Sequence, residues 1–493
     1  MSVGAVGPPM PSASSDVSQS PMSDIVSFEK AFHGEIVTPS HPSYAESLAR
    51  WAANSQRNAA VVAFVKDTDD VRAALLYAKA QNLRIAVRGG GHNPAGASSI
   101  EGGLVIDLSR YLTGVRVDDG ARLAYAGGGA LWGTVNDECA KYGLVTPGGT
   151  VSHTGIGGLT LGGGFGFLSG QYGLVIDNLQ QATVVLASGD TVTASESENP
   201  DLFWGLRGGG SNFGVVTEFV YRLHPHPGPV FAGLLILQPD AMEQVMGIVE
   251  KKWEAGMSPK ETYQIMVATG GPGRVPCIGV FLFWDGLEAE GRENFKGFLD
   301  LGTLIIADMC KQMPYSAVNT LQNESVPHGR NYYLKSVFLP RPSPAVAVAV
   351  RDAVFALQKA HSDMDIAFIF ENWSLEKICS VPTGTTAYQR SRALSTLASI
   401  TYLNDTPDEL AKVRAIVDTL VGIASGHAGG ENVGYANYNS DAPSMIDPNG
   451  DTQISAIQTE ALFGGNHARL RELKKEYDPD MVFSKWFAIR PAV

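Results

Sequence analysis

The sequence predicts an α/β domain over residues 39–228, an α+β domain over 229–434, and a tail over 435–493 that folds back onto the first. Three observations lead there. Strand-like and helix-like stretches alternate through the first region. Glycine gathers in the same region, with 24 of the chain's 55 glycines in the 85 residues from Gly89 to Gly173. The second region sets apolar runs between long amphipathic stretches, and His224-Pro225-His226-Pro227-Gly228 separates it from the first.

The elements follow in chain order. Met1 to about Asp24 is rich in Ser, Pro and Gly, so 1–38 is expected to be a disordered or loosely attached segment. Ala60–Val65 reads as an apolar strand. Val71, Ala74, Leu75 and Ala78 share one helical face and predict a helix over Asp67–Gln81. Arg84–Val87 is a short strand that runs straight into Gly89-Gly90-Gly91-His92, and Leu104–Leu108 is a third. Val115–Val117 and Leu123–Ala126 flank Asp118-Asp119-Gly120 as a hairpin. Leu131 to Tyr142 is helical and stops at Gly143. Gln181–Leu186 and Thr191–Thr193 flank Ser188-Gly189-Asp190 as a second hairpin, and Phe213–Leu223 is the last strand of the domain. In the second domain, Asp240 and Glu243 form a capping box that opens a helix with Met242, Val245, Met246, Val249 and Trp253 on one face. Strands are expected at Gly233–Leu237, Ile278–Phe283, Ile366–Phe370 and Leu397–Leu403, with helices at about 344–360 and 408–424. Leu470, Leu473 and Tyr477 line a final helix that ends at Asp478-Pro479.

Composition excludes several function classes. Lys plus Arg number 37 against 50 Asp plus Glu, a formal charge of −13. A nucleic-acid binder needs a basic footprint, which this balance does not supply, and it offers nothing to anionic lipid. The longest apolar runs, such as Val275–Trp284, are strand-sized and too short to span a bilayer. The first 29 residues carry no Lys or Arg and no apolar core, which argues against a secretory signal and favours an intracellular protein. The four cysteines, at 139, 277, 310 and 379, have no paired spacing, so no metal site is expected.

The glycine blocks carry the chemistry. In Val87-Arg88-Gly89-Gly90-Gly91-His92-Asn93 a strand feeds three residues without Cβ, whose N–H groups can converge on an anion. The run Thr146–Gly166 is too long and glycine-rich for a helix or an ordinary loop, and suits extended backbone along a large flat ligand. A third block is Arg207-Gly208-Gly209-Gly210-Ser211-Asn212-Phe213-Gly214. Tight turns at strand ends are the plain alternative, but three such blocks in one domain exceed what turns require. A dinucleotide fold fails on pattern, since no G-x-G-x-x-G follows a strand and opens a helix with an acidic residue about 20 positions on, and Gly162-x-Gly164-x-Gly166 has the wrong spacing.

These residues resemble a family. Arg88-Gly89-Gly90-Gly91-His92, the block closing Gly157-Gly158-x-x-x-Gly162-Gly163-Gly164-Phe165-Gly166, Tyr172-Gly173-Leu174-x-x-Asp177-Asn178, and Asn199-Pro200-Asp201-Leu202-Phe203-Trp204-x-x-Arg207-Gly208-Gly209-Gly210-x-Asn212-Phe213-Gly214 look like the berberine-bridge-enzyme-like FAD-linked oxidases of the vanillyl-alcohol-oxidase superfamily. Gly464-Gly465-Asn466-His467-Ala468-Arg469-Leu470 through Tyr477-Asp478-Pro479-Asp480-Met481-Val482-Phe483 resembles that family's closing motif. The likeness is strong over about 55–228 and 430–485 and weak between.

The resemblance implies a PCMH-type FAD domain of two subdomains, and a substrate domain built on an antiparallel sheet covered by helices. It implies FAD attached covalently through His92. Cofactor contacts are expected from Arg88, Gly89, Gly90, Gly91 and Asn93, and from Thr150, Val151, Thr154, Gly157, Gly158, Thr160, Gly162 and Gly163. Asn178, Gly214, Val216 and Asn437 complete the set. Val151 stands where many members carry a second, cysteinyl anchor, so attachment is expected to be single. Leu159 stands where a histidine often lies near the flavin. Thr154 stands at the position thought to gate oxygen, and its Val-like size suits an oxidase. Tyr435-Ala436-Asn437-Tyr438 resembles a Tyr-x-Asn-Tyr motif beside the flavin ring. Tyr438 is the expected base or hydrogen-bond acceptor, with Tyr435 as fallback and packing as the alternative for both; a phenol titrates near 10, so the base role requires a nearby cation or hydrogen bonds that favour the phenolate. Glu371, beside Asn372 in an apolar strand, either faces the substrate or forms a hydrogen-bonded pair at the strand end. The implied reaction is hydride transfer from a CH–OH or CH–NH centre of a small molecule, with dioxygen as acceptor and hydrogen peroxide as product. A flavin dehydrogenase using another acceptor and a carbohydrate oxidase are the alternatives.

Overall fold

Three sheets position the site, as the computed structural model of residues 24–270, 273–390, 394–426, 434–441 and 459–493 shows. The first has the strand order Glu35–Val37, Val61–Phe64, Leu104–Asp107, Ile85–Arg88. Its last three strands are parallel, as the βαβ pattern demands, and the first is antiparallel to its neighbour. Thr68–Ala80 is the crossover helix, with Asp67 accepting the Asp70 N–H as N-cap. The second sheet is antiparallel in the order Val115–Asp118, Leu123–Gly127, Val215–Arg222, Leu179–Val185, Thr191–Ser195. The long strand Val215–Arg222 sits at its centre and is buried along most of its length.

The expected loose segment 1–38 is corrected in part. Residues 24–38 belong to the first domain: Ile25–Ala31 is a helix capped by Asp24, and Glu35–Val37 is an edge strand. Phe28 is fully buried and stacks on Tyr77 at 4.5 Å, which gives the short helix its anchor. Residues 1–23 of the expected disordered opening lie outside the described residues.

The third sheet has nine strands among the described residues. Its path runs Ile305–Asp308, Val230–Leu237, Val275–Trp284, Glu261–Gly270, Asp365–Trp373, Leu394–Tyr402, Asn331–Lys335, with two short strands at its sides. Neighbours are antiparallel. The helices Met242–Ala255, Pro344–Ala360 and Pro407–Ser425 cover one face and close the largest core, in which Val249, Ile265, Val350 and Val417 are fully buried. The other face looks toward the first domain. Two of these strands, Glu261–Gly270 and Asn331–Lys335, escape a reading of apolar runs because polar residues break them. The expected capping box is also corrected. A single turn at Pro239–Ala241 precedes the helix, and no side chain caps it at Ala241.

The tail packs on the first domain. Leu470 and Leu473 of helix His467–Tyr477 join the core of the second sheet. Fully buried Lys474 donates to the carbonyls of Asn212 and Phe483 at 2.7 and 2.6 Å and pairs with buried Asp478, fixing the tail to the third glycine block.

Candidate active site

Two glycine loops cross at one point. A Cβ on Gly90 would lie 2.5 Å from Gly155 Cα, and a Cβ on Gly155 would lie 2.5 Å from Gly90 N. Real Cβ atoms never approach backbone that closely, so only glycine at both positions lets the loops touch. This contact sets His92 and Thr154 on the rim of one cavity, of about 300 Å³. The block Thr146–Gly166 is not extended throughout, which corrects its reading. Ile156–Leu161 is a helical turn and a half, of which Gly157, Gly158, Leu159 and Leu161 line the cavity.

The expected cofactor residues divide. Gly89, Gly90, Gly91, His92, Asn93, Thr150, Val151, Thr154, Gly157, Gly158, Gly162, Gly214, Val216 and Asn437 line the cavity. Arg88, Thr160, Gly163 and Asn178 do not; they brace it from behind. Arg88 pairs with buried Asp107 at 3.1 Å. Thr160 exchanges a hydrogen bond with Tyr221 at 2.8 Å. Gly163 lies against the Tyr388 ring. Asn178 donates to the carbonyls of Tyr172 and Leu174.

His92 is held by stacking. Its ring lies 4.1 Å from Trp51 at an interplanar angle of 7°, and Tyr332 covers the other face of Trp51 at 4.0 Å. Its Nε2 meets His153 Nδ1 at 3.0 Å. Burial and the neighbouring imidazoles push its pKa down to about 3, so the ring is neutral and carries a free lone pair.

The opposite wall comes from the large sheet. Glu371 and Gln264 face one another across adjacent strands. Gln264 donates to Glu371 Oε1 at 3.3 Å, and Gln322 donates to Gln264 Oε1 at 2.7 Å. Tyr438 donates to Glu371 Oε1 at 3.3 Å. Burial pushes Glu371 up to about 7. The cation expected beside Tyr438 is not what the fold supplies. A carboxylate stands there instead, and burial together with that charge holds the phenol well above 10. Tyr435 is similarly buried and raised, and its hydroxyl accepts from Asn437 Nδ2 at 2.8 Å. Phe165 packs edge-on between the two tyrosines and Trp373. Asn372 is buried and bonded to its own strand, out of the cavity.

Sequence reasoning missed Trp51, His153, His328, Gln264 and Gln322. His153 lies two residues past Val151, inside a block already singled out. The other four gave no local signal, because their strands or loops were not recognised as facing the glycine blocks.

The residues fit a flavin nucleotide. Gly158 faces the cavity, and a Cβ there would meet nothing within 4 Å, so its side of the cleft is open to a flat ligand. Ser98 Oγ lines the cleft, buried and without a hydrogen-bond partner among the described residues. Residues 59–195 match the family model of an FAD binding domain. The chain is thus an FAD-dependent oxidoreductase with a PCMH-type fold. Residues 434–490 match the model described as berberine and berberine like. An FAD-linked oxidoreductase of Aspergillus terreus is 33% identical over 485 residues, covering 95% of this chain and 96% of its own. The (R)-6-hydroxynicotine oxidase of Paenarthrobacter nicotinovorans is 36% identical over 222 residues, 45% of this chain and 48% of its own. The crystal structure of 6-hydroxy-D-nicotine oxidase from Arthrobacter nicotinovorans superposes with a TM-score of 0.80 at 26% identity, covering 94% of this chain and 98% of that one. The chain belongs to the berberine-bridge-enzyme-like family of FAD-linked oxidoreductases, within the vanillyl-alcohol-oxidase superfamily. No helix among the described residues is long and apolar enough to cross a membrane.

Proposed function

We propose that this protein is an oxidase that takes a hydride from a CH–OH or CH–NH centre of a small molecule, with Glu371 as the base. The observation that carries the reading is Glu371 itself. It is a buried carboxyl in the cavity wall, and its Oε2 has no partner among the described residues. A pKa near 7 suits a base at neutral pH, because the group is half ionised and still basic. Glu371 takes the proton from the substrate O–H or N–H. The Tyr438 hydroxyl steadies the carboxylate by donating to it, so the base role moves from Tyr438 to Glu371. Ile369, Leu397, Leu334 and Val326 add apolar surface beside the polar Gln264, Gln322 and Ser399. That mixed lining suits a small alcohol or amine with an apolar body and a polar group. The cationic nitrogen of an amine would be matched by Glu371.

Bound FAD supplies the hydride acceptor and passes the electrons to dioxygen, giving hydrogen peroxide. His92 carries the flavin covalently in this reading. Val151 has no nucleophile, so the attachment is single. Thr154 leaves room for oxygen at the flavin. The test is a peroxide-release screen over alcohols, amines and sugars, with acid precipitation of the protein. The expected result is a yellow pellet, one FAD mass on the peptide containing His92, and one peroxide per substrate oxidised. Flavin wholly in the supernatant refutes attachment. Substrate turnover without peroxide refutes the oxidase.

A further inference from the structure

Two donors converge on one oxygen of Glu371. Gln264 stands opposite it on the neighbouring strand and donates Nε2 to Oε1 at 3.3 Å. Tyr438 donates to the same Oε1, also at 3.3 Å. The other oxygen, Oε2, is buried with no partner among the described residues. Ser395 is a further polar neighbour of the carboxyl, and all three neighbours are uncharged. Behind Gln264 stands Gln322, which donates Nε2 to the Gln264 carbonyl oxygen at 2.7 Å. Gln322 belongs to no strand of the large sheet. It sits on loop 319–326, which is tied to the first domain at both ends. The Asn319 carbonyl accepts the Ser152 N–H at 2.8 Å, and the Asn323 side chain exchanges hydrogen bonds with the Ser152 hydroxyl at 2.8 and 3.1 Å. The Val326 carbonyl accepts the Trp51 indole N–H at 2.8 Å. These bonds hold Gln322 in the cavity wall.

We propose that Gln322 is a positioning residue: it fixes which way the Gln264 amide points, and so leaves Oε2 as the oxygen of Glu371 that meets the substrate. The inference rests on Glu371 as the base. In the proton transfer one substrate O–H or N–H bond breaks and one Oε2–H bond forms, and the bonding pair stays on the substrate heteroatom.

The argument is one of amide polarity. An amide has a donor end and an acceptor end of nearly the same shape. Turned over, Gln264 would set its carbonyl against a carboxylate oxygen and its NH2 against the NH2 of Gln322. Both contacts are repulsive. The donor that Gln322 supplies to the Gln264 carbonyl therefore closes off the reversed amide. With Gln264 locked, Oε1 is committed to two donors and Oε2 is left to accept the proton. The bond from Gln264 also favours the ionised carboxyl, which partly offsets the cost of burying its charge. Gln322 acts through Gln264 and touches no reacting atom.

The experiment uses the full-length flavoprotein and two readouts. One is the infrared band of the protonated Glu371 carboxyl, followed against pH without substrate and assigned by its loss in Glu371→Gln. The other is the pH profile of anaerobic flavin reduction by the first amine or alcohol turned over in the peroxide screen. Gln322→Leu removes the donor. It is expected to slow reduction roughly 5-fold and to move both titrations to higher pH, because the carboxylate loses an aligned partner. Gln322→Glu keeps the shape but, once ionised, attracts the Gln264 NH2 and turns the amide over. It is expected to slow reduction roughly 10²-fold, with the larger shift to higher pH. Gln322→Lys can only donate, so it keeps the amide polarity. It is expected to be the mildest of the three, with both titrations moved to lower pH by its charge. Steric fit alone predicts the opposite order, with glutamate mildest. In a Gln264→Leu background, Gln322→Leu should add nothing further. Wild-type titrations in Gln322→Leu and Gln322→Glu, or a glutamate variant milder than the leucine one, overturn the inference while leaving Glu371 as base. A Glu371→Gln protein that keeps the wild-type acid limb defeats the base itself.

Discussion

The two walls of the cavity are built by different means. The wall from the first domain is largely backbone: Gly90 crosses Gly155 at contact distance, and Gly157 and Gly158 turn toward the cleft. The wall from the large sheet is side chain: Gln264, Ile369, Glu371, Leu397 and Ser399 project from neighbouring strands. At Gly89, Gly90 and Gly155 the backbone has no freedom to vary, because a Cβ there would lie 2.8, 2.5 and 2.5 Å from another main chain. Side chains on a sheet can change without disturbing the ladder behind them. The backbone wall therefore suits a ligand shared by a whole family, and the side-chain wall suits the molecule that differs between members.

The largest effect should come from breaking the backbone wall. Gly90→Ala places a methyl group 2.5 Å from Gly155 Cα and is expected to cost about 4 kcal/mol or more and to abolish flavin loading. Wild-type melting and a yellow variant would show that the crossing can relax. Next comes the chemistry of the opposite wall. Glu371→Gln should slow anaerobic flavin reduction by roughly 10²–10⁴-fold with flavin loading unchanged. In the wild type this step should fall as pH drops through about 7, because the base must be ionised. Stability should run the other way. The folded pKa lies above the ordinary 4.5, so Glu371 stabilises fully below that value and loses the contribution as pH rises through about 7. Glu371→Gln should therefore melt above the wild type at alkaline pH and level with it at pH 4.

Tyr438→Phe sharpens the same comparison. Losing one hydrogen bond to a carboxylate is worth about 1.5 kcal/mol, so reduction should slow roughly 10-fold. The acid limb of the profile should move to higher pH, since the carboxylate loses a donor. A loss as large as that of Glu371→Gln would return the base role to Tyr438. The smallest effect on stability is expected at Gly158→Ala. Nothing lies within 4 Å of the new Cβ, and alanine favours the helical turn by up to about 1 kcal/mol. The flavin-free protein should melt at or slightly above the wild-type temperature, while FAD affinity falls. Unchanged affinity would mean that Gly158 does not border the cofactor.

Elements with an uninterrupted pattern were legible from the chain. The crossover helix Thr68–Ala80, the two hairpins and the helices Pro344–Ala360 and Pro407–Ser425 agree with their expected ranges to within a few residues. Strand Glu261–Gly270 was not legible, because Glu261, Gln264 and Thr262 read as polar in isolation. They are buried only because Lys252, Glu371 and the Phe167 carbonyl come from elsewhere to meet them. The edge strand Glu35–Val37 was missed for a similar reason: three residues carry no period, and pairing with Val62–Phe64 alone makes them a strand.

The sequence by itself determined where the chain needs backbone without Cβ, and the family resemblance those blocks carry pointed to the cofactor class and to His92 as the proposed anchor. Glycine has no other side chain to confuse the reading, and its blocks are local. Only the tertiary structure decided the partners. It set a carboxylate rather than a cation beside Tyr438, His153 and His328 in line behind His92, and Trp51 between His92 and Tyr332. The physical reason is that a titrating group's behaviour depends on burial and on charges a few ångströms away, and those neighbours lie tens to hundreds of residues distant along the chain.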